Sequence, residues 1–108
     1  MQVSDPEWTD IEKNIARTAF DKAHKREVEA LLRHVREEAS TIVELGNLWQ
    51  LHDFLSAKRF GIEGKYDYQY SGLLFVFAGL IKEGWLHLNE LEGLDKDKLS
   101  KVAVLSRM

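Results

Sequence analysis

Apolar residues recur in steps of three and four through the first part of the chain: Trp8, Ile11, Ile15, Ala19 and Ala23, with Phe20 adjoining, then Val28, Leu31, Leu32, Val35, Ala39, Ile42 and Val43. That period belongs to a helix and not to a strand. Asp5 fits an N-cap and Pro6 the first helical turn, and neither Pro nor Gly follows until Gly46. The pattern predicts one very long N-terminal helix over about 7–44. A helix of about 36 residues spans on the order of 54 Å, whereas a compact chain of this size has a radius of gyration near 13 Å, so such a helix must protrude with its apolar stripe only partly covered. Its stripe is relieved either by a kink near Ser40-Thr41 or by a second copy of the chain. We favour the second, a homodimer, because paired long helices commonly bury such a stripe.

Gly46-Asn47 then ends the first helix and caps the next. The segment 48–60, LWQLHDFLSAKRF, lies between that signal and Gly61 and reads as a helix of about three turns. GIEGKYDYQYSG reads as a connector. Its alternating Tyr66, Tyr68 and Tyr70 leave a strand open, but a loop with Asp67 as the next N-cap is preferred. The run 73–83 is apolar nearly all round and predicts the central buried helix, with Gly84 just past its end. WLHLNELEGL reads as a turn with a short helix, and 95–105 as a final amphipathic helix with Leu99, Val102 and Leu105 inward. The expected fold is all-α: a very long N-terminal helix plus a compact set of shorter helices over 45–108, in one domain, assembled as a homodimer.

The 48–60 helix has two unlike faces. At about 100° per residue, Leu48, Leu51 and Leu55 form an apolar contact stripe. Trp49, His52, Asp53, Ser56 and Arg59 share another arc roughly 120° wide. Solvated faces are mostly Lys, Glu, Asp and Gln, whereas Trp and Arg are enriched where binding energy concentrates. The competing interpretation, Trp49 as core with neutral polar neighbours, has about equal weight on helix geometry alone.

Composition narrows the classes. The chain has 108 residues, 44% hydrophobic and 31% charged, as in one folded domain. With no cysteine, disulfides, thiolate zinc sites and thiol catalysis are excluded. MQVSDPEWTD has neither the basic run nor the apolar stretch of a signal peptide, and no run approaches the roughly 18 apolar residues of a membrane span. A cytoplasmic protein that is not an integral membrane protein is expected. A net charge of −3 argues against nucleic acid as a partner, since phosphate binding draws on a basic surplus. His24, Lys25, Arg26, Arg33 and Arg36 are offset by interspersed glutamates.

Candidate chemistry is thin. His34 with Glu38 and Asp21 with His24 have helical ligand spacing, but no His-x-x-x-His pair and no doubled Glu-x-x-His set exists, so no metal is expected. His52-Asp53 suggests acid–base work, yet neighbours on a helix diverge by about 100° and are not expected to form the oriented pair of a triad. No phosphate loop, nucleophile elbow or dinucleotide fingerprint is present, so neither an enzyme nor a small-molecule cofactor is expected. Phe75 and Phe77 are read as core in preference to a pigment or lipid pocket.

LWQLHDFLSAKR followed by EGKYDYQYSGLLFVFAGLIKEG closely resembles the fluorescence recovery protein family of cyanobacteria, over nearly the whole chain from about Glu7. The resemblance implies an all-helical dimer that acts on the orange carotenoid protein. It implies binding of the red, active form, mainly through its C-terminal domain, faster return to the orange form, and release from the phycobilisome. The family's activity-linked residues fall on Trp49, His52, Asp53 and Arg59. Leu48, with Leu51 and Leu55 on its stripe, falls at the dimer interface, and Phe75 and Lys101 fall near the photoreceptor contact. The sequence departs from familiar relatives at Tyr68, at Trp85 and at Phe60-Gly61, near the connector. A dimeric helical adaptor for another protein partner is the alternative, because fold does not fix function.

Overall fold

The computed structural model describes residues 7–108; Asp5 and Pro6, and the cap assigned to them, lie outside the described residues. The first helix, α1, runs Asp10–Ala39. It starts on a reciprocal cap: Thr9 Oγ1 accepts the Glu12 N–H at 3.1 Å, and Glu12 Oε1 accepts the Thr9 N–H at 3.1 Å. It ends five residues earlier than the apolar pattern predicts. Ser40 and Thr41 donate their hydroxyls back to the Glu37 and Glu38 carbonyls, and the chain turns. The break near Ser40-Thr41, given second place to a covering second copy, is therefore present in the molecule.

Helix α2 runs Leu45–Lys65, longer at both ends than the sequence suggests. Gly46, Gly61 and Gly64 all lie inside it, and Asn47 acts from within the first turn, its Oδ1 accepting the Val43 and Glu44 N–H groups. None of these glycines has a positive φ, so none acts as a turn. Each weakens the helix by about 1 kcal/mol relative to Ala without ending it. Asp67 is not a cap either: residues 66–72 form an extended loop, with no strand, and α3 begins at Leu73. The alternation of Tyr66, Tyr68 and Tyr70 has another cause. All three rings lie against α1 as a strap, Tyr66 and Tyr68 edge-on to Phe20 at 5.4 and 4.8 Å, Tyr70 beside Trp8 at 5.3 Å.

Helix α3, Leu73–Glu83, is the buried central helix expected. Gly84 takes φ +90° just past its end, and the Trp85 N–H reaches back to the Leu80 carbonyl at 2.9 Å, the bonding of a left-handed C-terminal cap. A short 3₁₀ turn, Leu88–Leu91, leads to α4, Lys96–Ser106, whose N-cap Asp95 accepts the Asp97 N–H. Gly93 is at φ +108°, and a Cβ there would sit 2.5 Å from Ile15 Cδ1, so a side chain at this bend would strain the backbone and push Ile15 aside.

The core gathers Ala16, Ala19, Phe20 and Ala23 of α1, Leu73, Leu74, Phe77, Ala78 and Leu80 of α3, Leu86, Leu91 and Leu94 of the connector, and Val102 of α4. Leu99 and Leu105 flank it as expected, whereas Ile11, expected inward, is exposed. The core uses only the first half of α1. The second half pairs antiparallel with α2 as a helical hairpin, marked by the His34–Phe54 ring contact at 5.1 Å. The molecule is accordingly elongated, 59 × 27 × 25 Å, with a radius of gyration of 17.2 Å. Two parts result: a head and a hairpin arm. The sequence assigned α2 to the head; its contacts assign it to the arm.

Candidate functional site

The arm is fastened at its root by one buried carboxylate. Glu27 is 1% exposed, and its oxygens receive Lys65 Nζ at 2.7 Å and Tyr66 OH at 2.7 Å, with Lys58 Nζ at 3.8 Å. Lys65 also reaches Glu83 at 2.7 Å. Burial alone would raise the Glu27 carboxyl's pKa; the bonds from Lys65 and Tyr66 and the nearby lysine charges outweigh it and hold the group below its ordinary value. The last turn of α2, the start of the tyrosine loop and α1 thus meet on one anion, and the end of α3 joins them through Lys65. This fixes where α2 points.

Beyond that root, α2 has no buried residue. The side facing α1 carries Asn47, Leu51, Phe54 and Lys58, which line clefts against Leu31, His34 and Glu38. Trp49, Ser56 and Phe60 lie about half a turn away by helical phase and face outward. Trp49 is 54% exposed, so it is not core. His52 sits edge-on to the Trp49 indole at 6.2 Å, and its Nδ1 lies 3.3 Å from Asp53 Oδ1. The expectation that these neighbours would diverge is corrected here: rotamers that lean together bring the two groups into contact. Both remain exposed, and no enclosed site surrounds them, so the pair is a surface element. Arg59 Nε donates to Glu63 Oε2 at 3.1 Å, one turn on. Sequence reasoning missed that partner because it ended the helix at Phe60.

The leucine stripe divides. Leu51 and Leu55 are half-buried, while Leu48 is 43% exposed. By helical phase the same side of the hairpin carries Val28, Leu31, Leu32 and Val35 of α1, none of them buried. An aliphatic face built from both helices is left uncovered within one chain.

The remaining two assigned residues meet in the head. Phe75 of α3 is 59% exposed, unlike the buried Phe77, and Lys101 Nζ of α4 sits 5.6 Å from its ring centroid. The structure therefore brings Phe75 to Lys101 and gathers Trp49, His52, Asp53 and Arg59 on one helix, as two separate patches on head and arm. Phe60, more exposed than Trp49, shares the arm patch and was missed. Its spacing of 11 residues from Trp49 is the signal that could have found it. Among the described residues no cluster of three or more His, Asp or Glu could hold a metal ion, and no helix is long and apolar enough to cross a membrane.

Comparison with known proteins agrees in sequence and in fold. A family profile described as photoprotection regulator fluorescence recovery protein matches residues 8–106. The fluorescence recovery protein of a Synechocystis species is 45% identical over 108 residues, covering 100% of this chain and 99% of the relative. Two solved structures superpose closely. That of the Fremyella diplosiphon fluorescence recovery protein has a TM-score of 0.93 at 60% identity, covering 94% of this chain and 100% of that one. That of the Synechocystis protein has a TM-score of 0.92 at 47% identity, with the same coverage.

Proposed function

The chain belongs to the fluorescence recovery protein family of photoprotection regulators, and we propose that it acts on the orange carotenoid protein as a helper of conformational relaxation. It binds the red, active form, mainly through that protein's C-terminal domain, speeds its return to orange, and promotes its release from the phycobilisome. No covalent bond is made or broken. A helper of this kind accelerates relaxation by holding the transition state more tightly than the starting form.

The observation that carries this reading is the display of Trp49, His52, Asp53 and Arg59 on one uncovered face of α2. Trp49 supplies area to be buried and one indole N–H to be bonded, the usual makeup of a binding anchor. His52, Asp53 and Arg59 form its polar rim, where charge fixes orientation more than affinity. Phe75 and Lys101 offer a second contact on the head. The glutamate latch supports the arm as a lever, since a displaced α2 would carry the whole face with it.

The working unit is a homodimer. Leu48 and Leu55 with Val28, Leu31, Leu32 and Val35 make an aliphatic face that one chain leaves open, and a second copy related by a two-fold axis would cover it with itself.

The test is red-to-orange recovery in the dark, followed by absorbance of photoconverted orange carotenoid protein with sub-stoichiometric amounts of this chain. Acceleration with many photoreceptors converted per chain is expected. A folded, dimeric chain without effect on several photoreceptor variants would leave a helical adaptor for another partner as the better account.

A further inference from the structure

We propose that Phe60 is a second aromatic anchor on the face of Trp49, so that the photoreceptor is gripped at two apolar points roughly 16 Å apart along α2. This rests on the reading above that the α2 face meets that partner.

Phe60 is 84% exposed, more open than Trp49 or Phe75. It belongs neither to the core cluster nor to the residues packed against it, so folding of the chain does not use it. An exposed phenylalanine in the middle of a regular helix costs solubility and contributes nothing to the head's stability, which makes contact with another molecule its natural use. From Trp49 to Phe60 is three helical turns plus about 20°, so both rings project in the same direction, with Asp53 and Ser56 between them. The polar groups beside the rings already have neighbours within the helix, His52 Nδ1 lying 3.3 Å from Asp53 Oδ1 and Arg59 donating to Glu63. What this edge leaves unmatched is ring area. The partner surface that fits it is uncharged over two apolar receptors and polar between them.

A second copy of this chain is the competing occupant. Leu48 and Leu55 lie about 120–140° around the helix from Phe60, so a copy seated on the aliphatic face leaves Phe60 in solvent. Continuity with Trp49 along one uninterrupted edge places Phe60 with the photoreceptor instead.

The experiment compares the full-length chain with Phe60→Ala and Phe60→Leu. Affinity for photoconverted orange carotenoid protein and the dark recovery rate are measured beside the molar mass in solution and the urea midpoint. Phe60→Ala should weaken binding about tenfold and slow recovery accordingly, Phe60→Leu should restore most of the loss, and mass and midpoint should match the parent. If the parent accelerates recovery and Phe60→Ala binds equally well, this proposal fails alone. If Phe60→Ala lowers the molar mass, the ring belongs to self-association and the proposal is overturned. If the parent neither binds nor accelerates, the photoreceptor reading fails and takes this one with it.

Discussion

Head and arm share one helix and are built on opposite principles. In the head, the first half of α1 buries three alanines and Phe20 among Leu73, Phe77, Leu80 and Val102. In the arm, α2 has no buried residue and the second half of α1 buries only Glu27 at the root, although apolar residues recur along both. The head is stabilised by area removed from water, whereas the arm keeps its area available and is held by a charged latch and a few ring contacts. A chain that must fold alone and also recognise partners can divide the two tasks between the ends of one helix.

The sharpest way to break that comparison is to truncate equivalent rings in both regions. Phe77→Ala should cost about 4 kcal/mol, because the ring is fully buried and leaves a cavity, while Phe54→Ala in the arm should cost about 1 kcal/mol or less. Equal shifts in urea unfolding would show that the arm is as much core as the head. Next in size is the latch. Glu27→Ala leaves the Lys65 ammonium without its buried partner and should cost about 3 kcal/mol. Hydrogen exchange should then rise through the last turns of α2 before it rises in α3, and uniform loosening would contradict the latch.

Acid sharpens the same division. Burial would raise the Glu12 carboxyl's pKa, but Lys98 and the Asp95 and Thr9 amides bring it down to about 2. The Arg26 fork, at 2.7 Å on both oxygens, leads the effects that hold Glu90 at about 2, and Glu27 is lowered as well. A lowered folded value means that the unfolded chain binds more protons as pH falls, so stability is complete above the ordinary value of 4.5 and is lost on the way down to about 2. Thermal melts in pH steps should be level from pH 7 to about 5 and fall steeply below about 4. Level melts to pH 2.5 would remove these pairs from the account.

Smaller for folding, and larger for assembly, is Leu48→Glu. It should leave the head intact and split the proposed dimer, because a carboxylate cannot enter an aliphatic seam unpaired. A dimer surviving in light scattering would move the seam elsewhere. Smallest for stability is Trp49→Ala, within about 0.5 kcal/mol of the parent, while recovery slows at least tenfold. Unfolding by Trp49→Ala would return the indole to the core.

The apolar spacing alone identified the class, α3 as the buried helix, its Gly84 end, the α4 register and the arc of Trp49, His52, Asp53 and Arg59. These are local matters of period and phase. What the spacing misjudged were junctions. Gly46 and Gly61 looked like stops, yet a glycine ends a helix only where φ turns positive, as at Gly84 and not in α2. Asp67 looked like a cap, and the loop instead followed the packing of three tyrosines on α1. Glu63 was lost from the site for the same reason, because a helix stopped too early hides the residues of its last turns, whereas Phe60 lay inside the expected helix and was passed over.

The sequence by itself determined that this chain is helical, which residues share each face, and, through the LWQLHDFLSAKR block, which family it resembles. Only the tertiary structure decided that the long apolar pattern folds back at Ser40, that α2 belongs to the arm, and that Glu27 binds Lys65 and Tyr66 from 38 and 39 residues away. Period reports which side of a helix is apolar. What that side meets depends on contacts distant along the chain, and no local spacing encodes them.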